Sequence, residues 1–256
     1  MMVNNYHTFS FGDCRLAELG AVIRQRPTHV VAVPDIVFVT TPYHSGDSLL
    51  NNGRFNNISL KIPIRTLPAL CDKTLQEFEY SLTEWLLSDA GNYKKYRDTY
   101  NPSYYRIGAV ESIDDVVAVK KNVYETTVTI NCKPFMYSDF GEIPIIRSTS
   151  GNTIELSLVN PERWDSSPNI KIIGGAGSYT FDVNDITFSA TMDSSGEFTI
   201  DKENENVYDE NHVSINNKTT GIEIPYFRGG TNEISIIRSN GTGAWTVEIT
   251  PKWRRL

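Results

Sequence analysis

One stretch of this chain repeats with a helical period, and the other patterned stretches alternate as strands do. Between about Thr74 and Ser88 the apolar residues are Leu75, Phe78, Leu82, Trp85 and Leu86, the offsets of one helical face. Gln76, Glu77, Glu79, Ser81, Thr83 and Glu84 lie between them and face outward. Asp72 can cap the start, Thr74-Leu-Gln-Glu77 has capping-box spacing, and Gly91 suits a left-handed cap at the end. Such a helix is roughly 22 Å long at ~1.5 Å per residue. Its apolar side carries two large aromatic rings and needs a cover, and the rest of the chain offers only strands. The pattern predicts a mainly β protein with one α-helix.

The chain has 256 residues, room for two ordinary domains or one large β domain. Its 13 Tyr, 11 Phe and 4 Trp beside only 21% charged residues argue against disorder. A net charge of −7 makes the whole molecule a poor electrostatic trap for nucleic acid or anionic membrane. Cys14, Cys71 and Cys132 are odd in number and widely spaced, and read as reduced thiols. The opening residues lack the charged and apolar parts of a signal peptide, and no apolar run approaches the ~20 residues of a membrane span. Folding in a cytoplasm is the expectation, so the sequons at Asn57, Asn217 and Asn240 read as polar loops.

Before the helix, Phe9-Ser-Phe-Gly-Asp13 gives a short strand and turn. Residues 29–41 are rich in β-branched side chains and broken by Pro34, which predicts two strands or one bulged edge strand. Ser45 to Asn57 reads as a polar loop, and Ile58, Leu60, Ile62 and Ile64 share one face of a half-buried strand. Together 29–65 reads as a long hairpin with a polar tip. After the helix, strands are expected at 93–98 and 104–111 around Asn101-Pro102-Ser103. In 123–132 Tyr124, Thr126, Val128, Ile130 and Cys132 point one way, and Pro134 is expected to end that strand.

Beyond Pro134–Gly141 no helical period survives. Strands are expected at 143–147, 153–159, 169–173, 179–183, 186–191, 196–200, 222–226, 232–237 and 244–250. Turn residues separate them at sandwich or jelly-roll spacing. The predicted domains are 1–136 and 137–256, with the last strand free to return to the first domain.

No pattern rises to chemistry. Gly174-Gly-Ala-Gly177 lacks the Lys-Ser/Thr of a phosphate loop and reads as a hairpin turn. The acidic run Asp201, Glu203, Glu205, Asp209 and Glu210 has Asn206 and His212 where a calcium loop needs Gly and Glu. His7, His29, His44 and His212 are scattered. Lys94, Lys95 and Arg97, Lys120 and Lys121, and Lys252, Arg254 and Arg255 are short basic clusters that read as solvated or partner-facing edges. Trp164, Tyr179, Tyr226 and Trp245 would serve a sugar-stacking platform if exposed, although most aromatics of a sandwich are core. The expected site inventory is therefore empty: no catalytic residue, no cofactor and no metal.

The order of stretches resembles a known family, the distal tail (Dit) proteins of phages with long flexible tails. The resemblance starts at Phe9-Ser-Phe-Gly-Asp13. It continues through Ile62-Pro-Ile-Arg65, Leu82-Thr-Glu-Trp-Leu86, Gly91, Lys95-Tyr-Arg-Asp98 and Tyr104-Tyr-Arg-Ile107 to Val128-Thr-Ile-Asn-Cys-Lys-Pro-Phe135. In the second half it rests on Phe198-Thr-Ile-Asp201, Val207-Tyr208, Gly221, Pro225, Gly229-Gly230, Asn232, Ile234 and the ending Ile249-Thr-Pro-Lys-Trp-Arg-Arg-Leu256. It implies an N-terminal ring-forming belt domain of sheet plus helix, followed by a galectin-like β-sandwich. It implies a non-enzymatic virion protein at the distal end of the tail, a homohexameric ring. That ring joins the tail tube to tail-associated and receptor-binding or other baseplate proteins. DNA passes through the ring without specific binding, and no membrane is a partner. Two rivals stand beside this reading: a carbohydrate-binding module for cell-wall sugars, and a cell-wall hydrolase whose carboxylates the sequence does not locate.

Overall fold

The computed structural model describes residues 6–28 and 30–256. The chain divides into two compact units, the first running as far as Met136 and including Leu256, the second spanning Tyr137–Arg255. The architecture is mainly β with one α-helix among the described residues.

Unit 1 runs β1 (Phe9–Phe11), β2 (Cys14–Arg15), β3 (Ala21–Ile23), β4 (Pro34–Thr40), β5 (Asp47–Phe55) and β6 (Ile58–Thr66). Then come α1 (Leu75–Leu87), β7 (Lys94–Asp98), β8 (Tyr104–Ile113), β9 (Val117–Lys120) and β10 (Val123–Ser138). The main sheet has the order β2-β1-β7-β8-β10-β6-β3, with β9 also on β10. β10 pairs antiparallel with β6 from Glu125↔Arg65 to Cys132↔Ile58. That register stacks the two alternating apolar rows, so Ile58, Leu60, Ile62 and Ile64 lie beside Val128, Ile130 and Cys132 in one core.

The helix covers this core with Phe78, Leu82 and Leu86, all buried. Burial of each side chain contributes ~1.5–3 kcal/mol. Trp85 is half-buried: its ring stacks on Phe9 at 5.5 Å and its Nε1–H donates to the Phe11 carbonyl at 3.1 Å. Glu77 and Glu84 are exposed. The cap is Thr74, not Asp72: Thr74 Oγ1 accepts from the Glu77 N–H at 3.3 Å, and Glu77 Oε2 accepts from the Thr74 N–H at 2.8 Å. The reciprocal pair satisfies two amides that a carboxylate at position 72 would reach only singly. Gly91 lies three residues past the right-handed C-cap Ser88 and takes φ +98° in the turn that follows.

Three expectations for unit 1 are corrected. Ser45–Asn57 is not a loop, because Asp47–Phe55 forms β5, which pairs with β4. β6 does not belong to that hairpin, since it joins β10 and β3 in the main sheet. Pro134 does not end β10, which runs on to Ser138. Proline's fixed φ fits an extended strand and costs it one donor.

Unit 2 is a sandwich. Its strands are β11 (Ile145–Thr149), β12 (Thr153–Asn160), β13 (Asn169–Gly174), β14 (Gly177–Val183) and β15 (Ile186–Met192). They continue as β16 (Gly196–Asp201), β17 (Asn206–Asp209), β18 (Thr219–Gly221), β19 (Gly230–Ser239) and β20 (Trp245–Thr250). One sheet has the order β11-β20-β13-β16-β17 and the other β12-β19-β14-β15-β18. Ile170, Ile172, Phe198 and Val247 of the first meet Phe181, Val183, Phe188 and Ile236 of the second in a single core. The segment 222–226 is not a strand. Pro225 removes a ladder donor and Ile222 is fully exposed, so the chain pairs only through an isolated bridge, Ser166↔Phe227. β17 was not foreseen, because Asn206-Val-Tyr-Asp209 holds one aliphatic residue in a polar run.

Thr74→Ala should lower the stability of unit 1 by about 1 kcal/mol. Two hydrogen bonds from Thr74, backbone first, hold the Glu77 carboxyl below its ordinary value of 4.5. A depressed carboxylate stabilises the fold above its unfolded pKa, and that contribution is lost as pH falls through the folded one. The protection factors for hydrogen exchange at the start of α1, taken against the intrinsic rate at each pH, should therefore fall below pH 4.5 in the native chain, and much less so in Thr74→Ala. Cys71 and Cys132 are buried and Cys14 is exposed, and burial pushes the Cys132 thiol up to about 12. Iodoacetamide should thus label Cys14 alone in the native protein and all three thiols in denaturant, read by mass.

Candidate assembly interface

β4 and β5 form a two-stranded ribbon that pairs with no other strand among the described residues. Its register sets Val37 opposite Leu50 and Phe38 opposite Leu49. Residues directly opposite share a face and neighbours along a strand alternate. One face therefore carries Val37, Val39 and Leu50, the other Ile36, Phe38 and Leu49. Both faces are wet: Phe38 is 66% exposed, Leu49 59% and Val37 44%. The ribbon is ~23 Å long at ~3.3 Å per residue. It is a double-sided apolar arm with two unpaired edges.

Local chemistry fixes the arm's shape without covering it. At its base Arg54 Nε donates to Asp35 Oδ2 at 2.7 Å, and Phe55 packs edge-on against Phe135 at 5.8 Å. The Arg54 hydrogen bond and then that of Asn52 hold the Asp35 carboxyl below its ordinary range. Near the tip Thr40 Oγ1 donates to Asp47 Oδ1 at 3.0 Å, and Thr41 and Ser48 share a 3.2 Å hydroxyl contact. Tyr43, at φ +65°, and Gly46, at φ +90°, turn the chain, with the Tyr43 ring in solvent. The sequence predicts a hairpin over 29–65 with Ser45–Asn57 as its polar tip; the arm closes instead on Asp47–Phe55, for which Leu49 and Leu50 opposite an apolar strand were a signal.

A second feature of unit 1 is a groove of about 440 Å³ beside the helix, whose lining includes the apolar Leu82, Leu87, Ile113 and Val116 and the acidic Glu79, Glu111, Asp114 and Asp115. The Val117–Lys120 strand that follows is exposed along its length.

The four aromatics of the expected sugar platform do not assemble. Tyr179 and Trp245 are core residues whose rings meet at 5.5 Å. Their polar atoms are engaged internally, Tyr179 Oη with Gly175 O and Trp245 Nε1 with Gly151 O, both at 2.8 Å. Trp164 remains 39% exposed. The outer face of the second sheet is a hydroxyl surface, on which Thr180 meets Ser189 at 3.0 Å and Thr187 donates to Asp182 at 2.7 Å.

The acidic run is dispersed into local ties. Asp201 accepts from Asn204, Glu205 meets Lys202 at 2.7 Å, and Asp209 accepts the Asn211 and Val213 amides of its own turn. His7 stacks on Tyr100 at 3.9 Å, His44 sits at the arm tip and His212 lies beside Tyr208; His29 lies outside the described residues. Of the basic clusters, Lys94 pairs with Asp89 at 3.4 Å, Lys95 and Arg97 lie over the Tyr105 ring, and Arg254 meets Glu203 at 3.5 Å. Gly174–Gly177 is not a hairpin turn: it carries the chain from β13 in one sheet to β14 in the other.

No protein-family model matches the chain, and no curated protein does. Among solved structures it is similar to the Dit (gp 19.1) protein of SPP1, described as a paradigm of the hub adsorption apparatus in phages that infect Gram-positive bacteria. The match covers 98% of this chain and 99% of that one at a TM-score of 0.67, with 12% sequence identity. The chain therefore has a Dit-like fold along nearly its whole length.

Replacing Phe38 and Leu49 by Ser should sharply reduce binding of the dye ANS while changing stability by less than about 0.5 kcal/mol, because neither side chain packs in the core. A large loss of stability by urea titration would mean that the arm is packed on its own subunit.

Proposed function

We propose that this protein is a non-enzymatic hub component of a phage tail tip, assembling into a ring through the β4–β5 arm. The observation that carries the reading is the arm, on a chain whose fold is Dit-like over nearly its whole length. Exposed apolar faces and open strand edges of this kind favour coverage by another chain. Insertion into a neighbouring subunit's sheet covers both. A heterologous contact of this kind, repeated head to tail, closes into a ring when its rotation divides a full turn. Six subunits is the number the family resemblance implies.

Within this reading unit 1 is the belt and unit 2 the galectin-like sandwich that holds receptor-binding or other baseplate proteins. The ring joins the tail tube on one side to a tail-associated protein on the other, and the protein resides in the virion at the distal end of the tail. A chain with net charge −7 does not adhere to DNA phosphates passing through the hole. The carbohydrate-binding alternative is weakened by the burial of Tyr179 and Trp245.

Light scattering after size exclusion, followed by negative-stain microscopy, tests the proposal. The native chain should give a closed ring, alone or with tail partners, and Phe38→Asp with Leu49→Asp should give a folded monomer. A native monomer at every concentration and with every partner, or rings unaffected by the two substitutions, would overturn it.

A further inference from the structure

One edge of unit 1 carries opposite charges at its two ends. From Asp114 the chain reads Asp-Asp-Val-Val-Ala-Val-Lys-Lys121: two carboxylates, four apolar residues and two ammonium groups. All but Val116 are exposed, Val117 and Val119 at 57% each. Among the described residues, Asp114, Asp115, Lys120 and Lys121 enter no ion pair. The middle of the stretch is β9, which pairs with β10 along one edge and with no other described strand along the other. Its start is fixed in place: the Asp114 N–H donates to Thr127 O at 2.9 Å, and the Asp114 carbonyl accepts from Thr126 Oγ1 at 2.6 Å. Between Ala118 and Lys120, β9 has one residue more than β10, so Val119 lacks a ladder partner even on the paired side.

Lysine on a bare edge ordinarily keeps other strands away. Here the opposite charge stands at the other end of the same strand, so two copies laid antiparallel are complementary. The acidic start of each meets the basic end of the other, twice, with valines between. The groove beside α1 lies at the acidic end. Its described lining holds four carboxylates, Glu79, Glu111, Asp114 and Asp115, and no cation, together with apolar groups that include Leu87 and Val116. Apolar surface for a stem and carboxylates for a charged head are what a lysine side chain needs.

We propose that β9 is an interface for a second copy of this chain, the two strands antiparallel about a two-fold axis near Ala118, with Lys120 and Lys121 of each copy laid in the acidic groove of the other. Such a contact is isologous and closes at two copies, so it is separate from the head-to-tail contact of the arm and stands without it. Two strands of this length bury well under the ~1,200 Å² of a standard interface, so the dimer forms in concentrated solution and dissociates on dilution.

Sedimentation equilibrium tests this on the full chain carrying Phe38→Asp and Leu49→Asp, so that the arm contributes nothing. The mass should climb from monomer toward dimer with concentration, and the dimer should weaken as salt is raised. Lys120→Glu with Lys121→Glu, and separately Asp114→Lys with Asp115→Lys, should each weaken the dimer by more than about tenfold. All four residues are exposed, so both variants should stay folded. Mixed in equal amounts, the two variants should dimerise again, because each supplies the charges the other lacks. Ala118→Cys in a Cys14→Ser background should be captured as a dimer by a short bismaleimide. A monomer at every concentration, a dimer indifferent to both charge reversals, or reversed variants that fail to recover on mixing would overturn the proposal. Because the arm is disabled in every sample, that failure leaves the ring reading untouched, and failure of the ring leaves this result standing.

Discussion

The molecule depends on the pairing of β6 with β10. Eight consecutive residue pairs, Glu125↔Arg65 through Cys132↔Ile58, place two alternating apolar rows side by side on one face of a twisted sheet. A slip of β6 by one residue would turn Ile58, Leu60, Ile62 and Ile64 toward water together, so the register is strongly specified. The helix follows from it, since Phe78, Leu82 and Leu86 have a surface to close only when that register holds. The buried Thr66 hydroxyl secures one end by accepting from the Tyr124 N–H at 2.8 Å and donating to Asn122 O at 3.1 Å.

The arm is what this core leaves over. The β4–β5 ribbon lies between two strands of the main sheet in sequence yet pairs with neither. Ile36, Val37, Phe38, Val39, Leu49 and Leu50 are as apolar as core side chains, but beyond the base, where Phe55 packs on the core, the burial that stabilises β6 is not available to them within the subunit. Polar contacts at its base and tip set its shape, and the apolar surface between them stays in water. That division of labour, a closed core beside an open ribbon, suits a subunit made to complete its burial in an assembly. In unit 2 every strand of both sheets has a partner and the apolar rows close on one another.

Alternation made most of the fold legible. Ile58–Ile64, Tyr124–Cys132 and the strands from 153 to 200 point their apolar residues inward as their spacing predicts, and the helix lies within a residue of its expected bounds. The sequence misled where a strand exists by pairing rather than by pattern. Asn51, Asn52 and Gly53 disguise β5, which forms because β4 lies opposite, and Asn206–Asp209 is held by β16. Prolines misled in both directions: Pro134 is absorbed by a strand, whereas Pro225 stops one from forming. The candidate interface was visible only as a hairpin with a polar tip, because exposure is not written in composition. The burial of Arg238 was hidden for a related reason: its position in the Asn232, Ile234, Ile236 alternation marks an inward side chain, but a charged residue at a strand's end reads as surface.

The central claim is that the arm's edges and faces are covered by another copy of the chain. Hydrogen exchange of the arm's amides, compared between monomer and assembly, measures this directly. In the monomer the outward-pointing amides of 36–39 and 48–51 should exchange at nearly unprotected rates, and in the assembly they should slow by orders of magnitude, while the buried amides of β6 and β10 change little. An assembled ring in which the arm exchanges as fast as in the monomer would contradict the account.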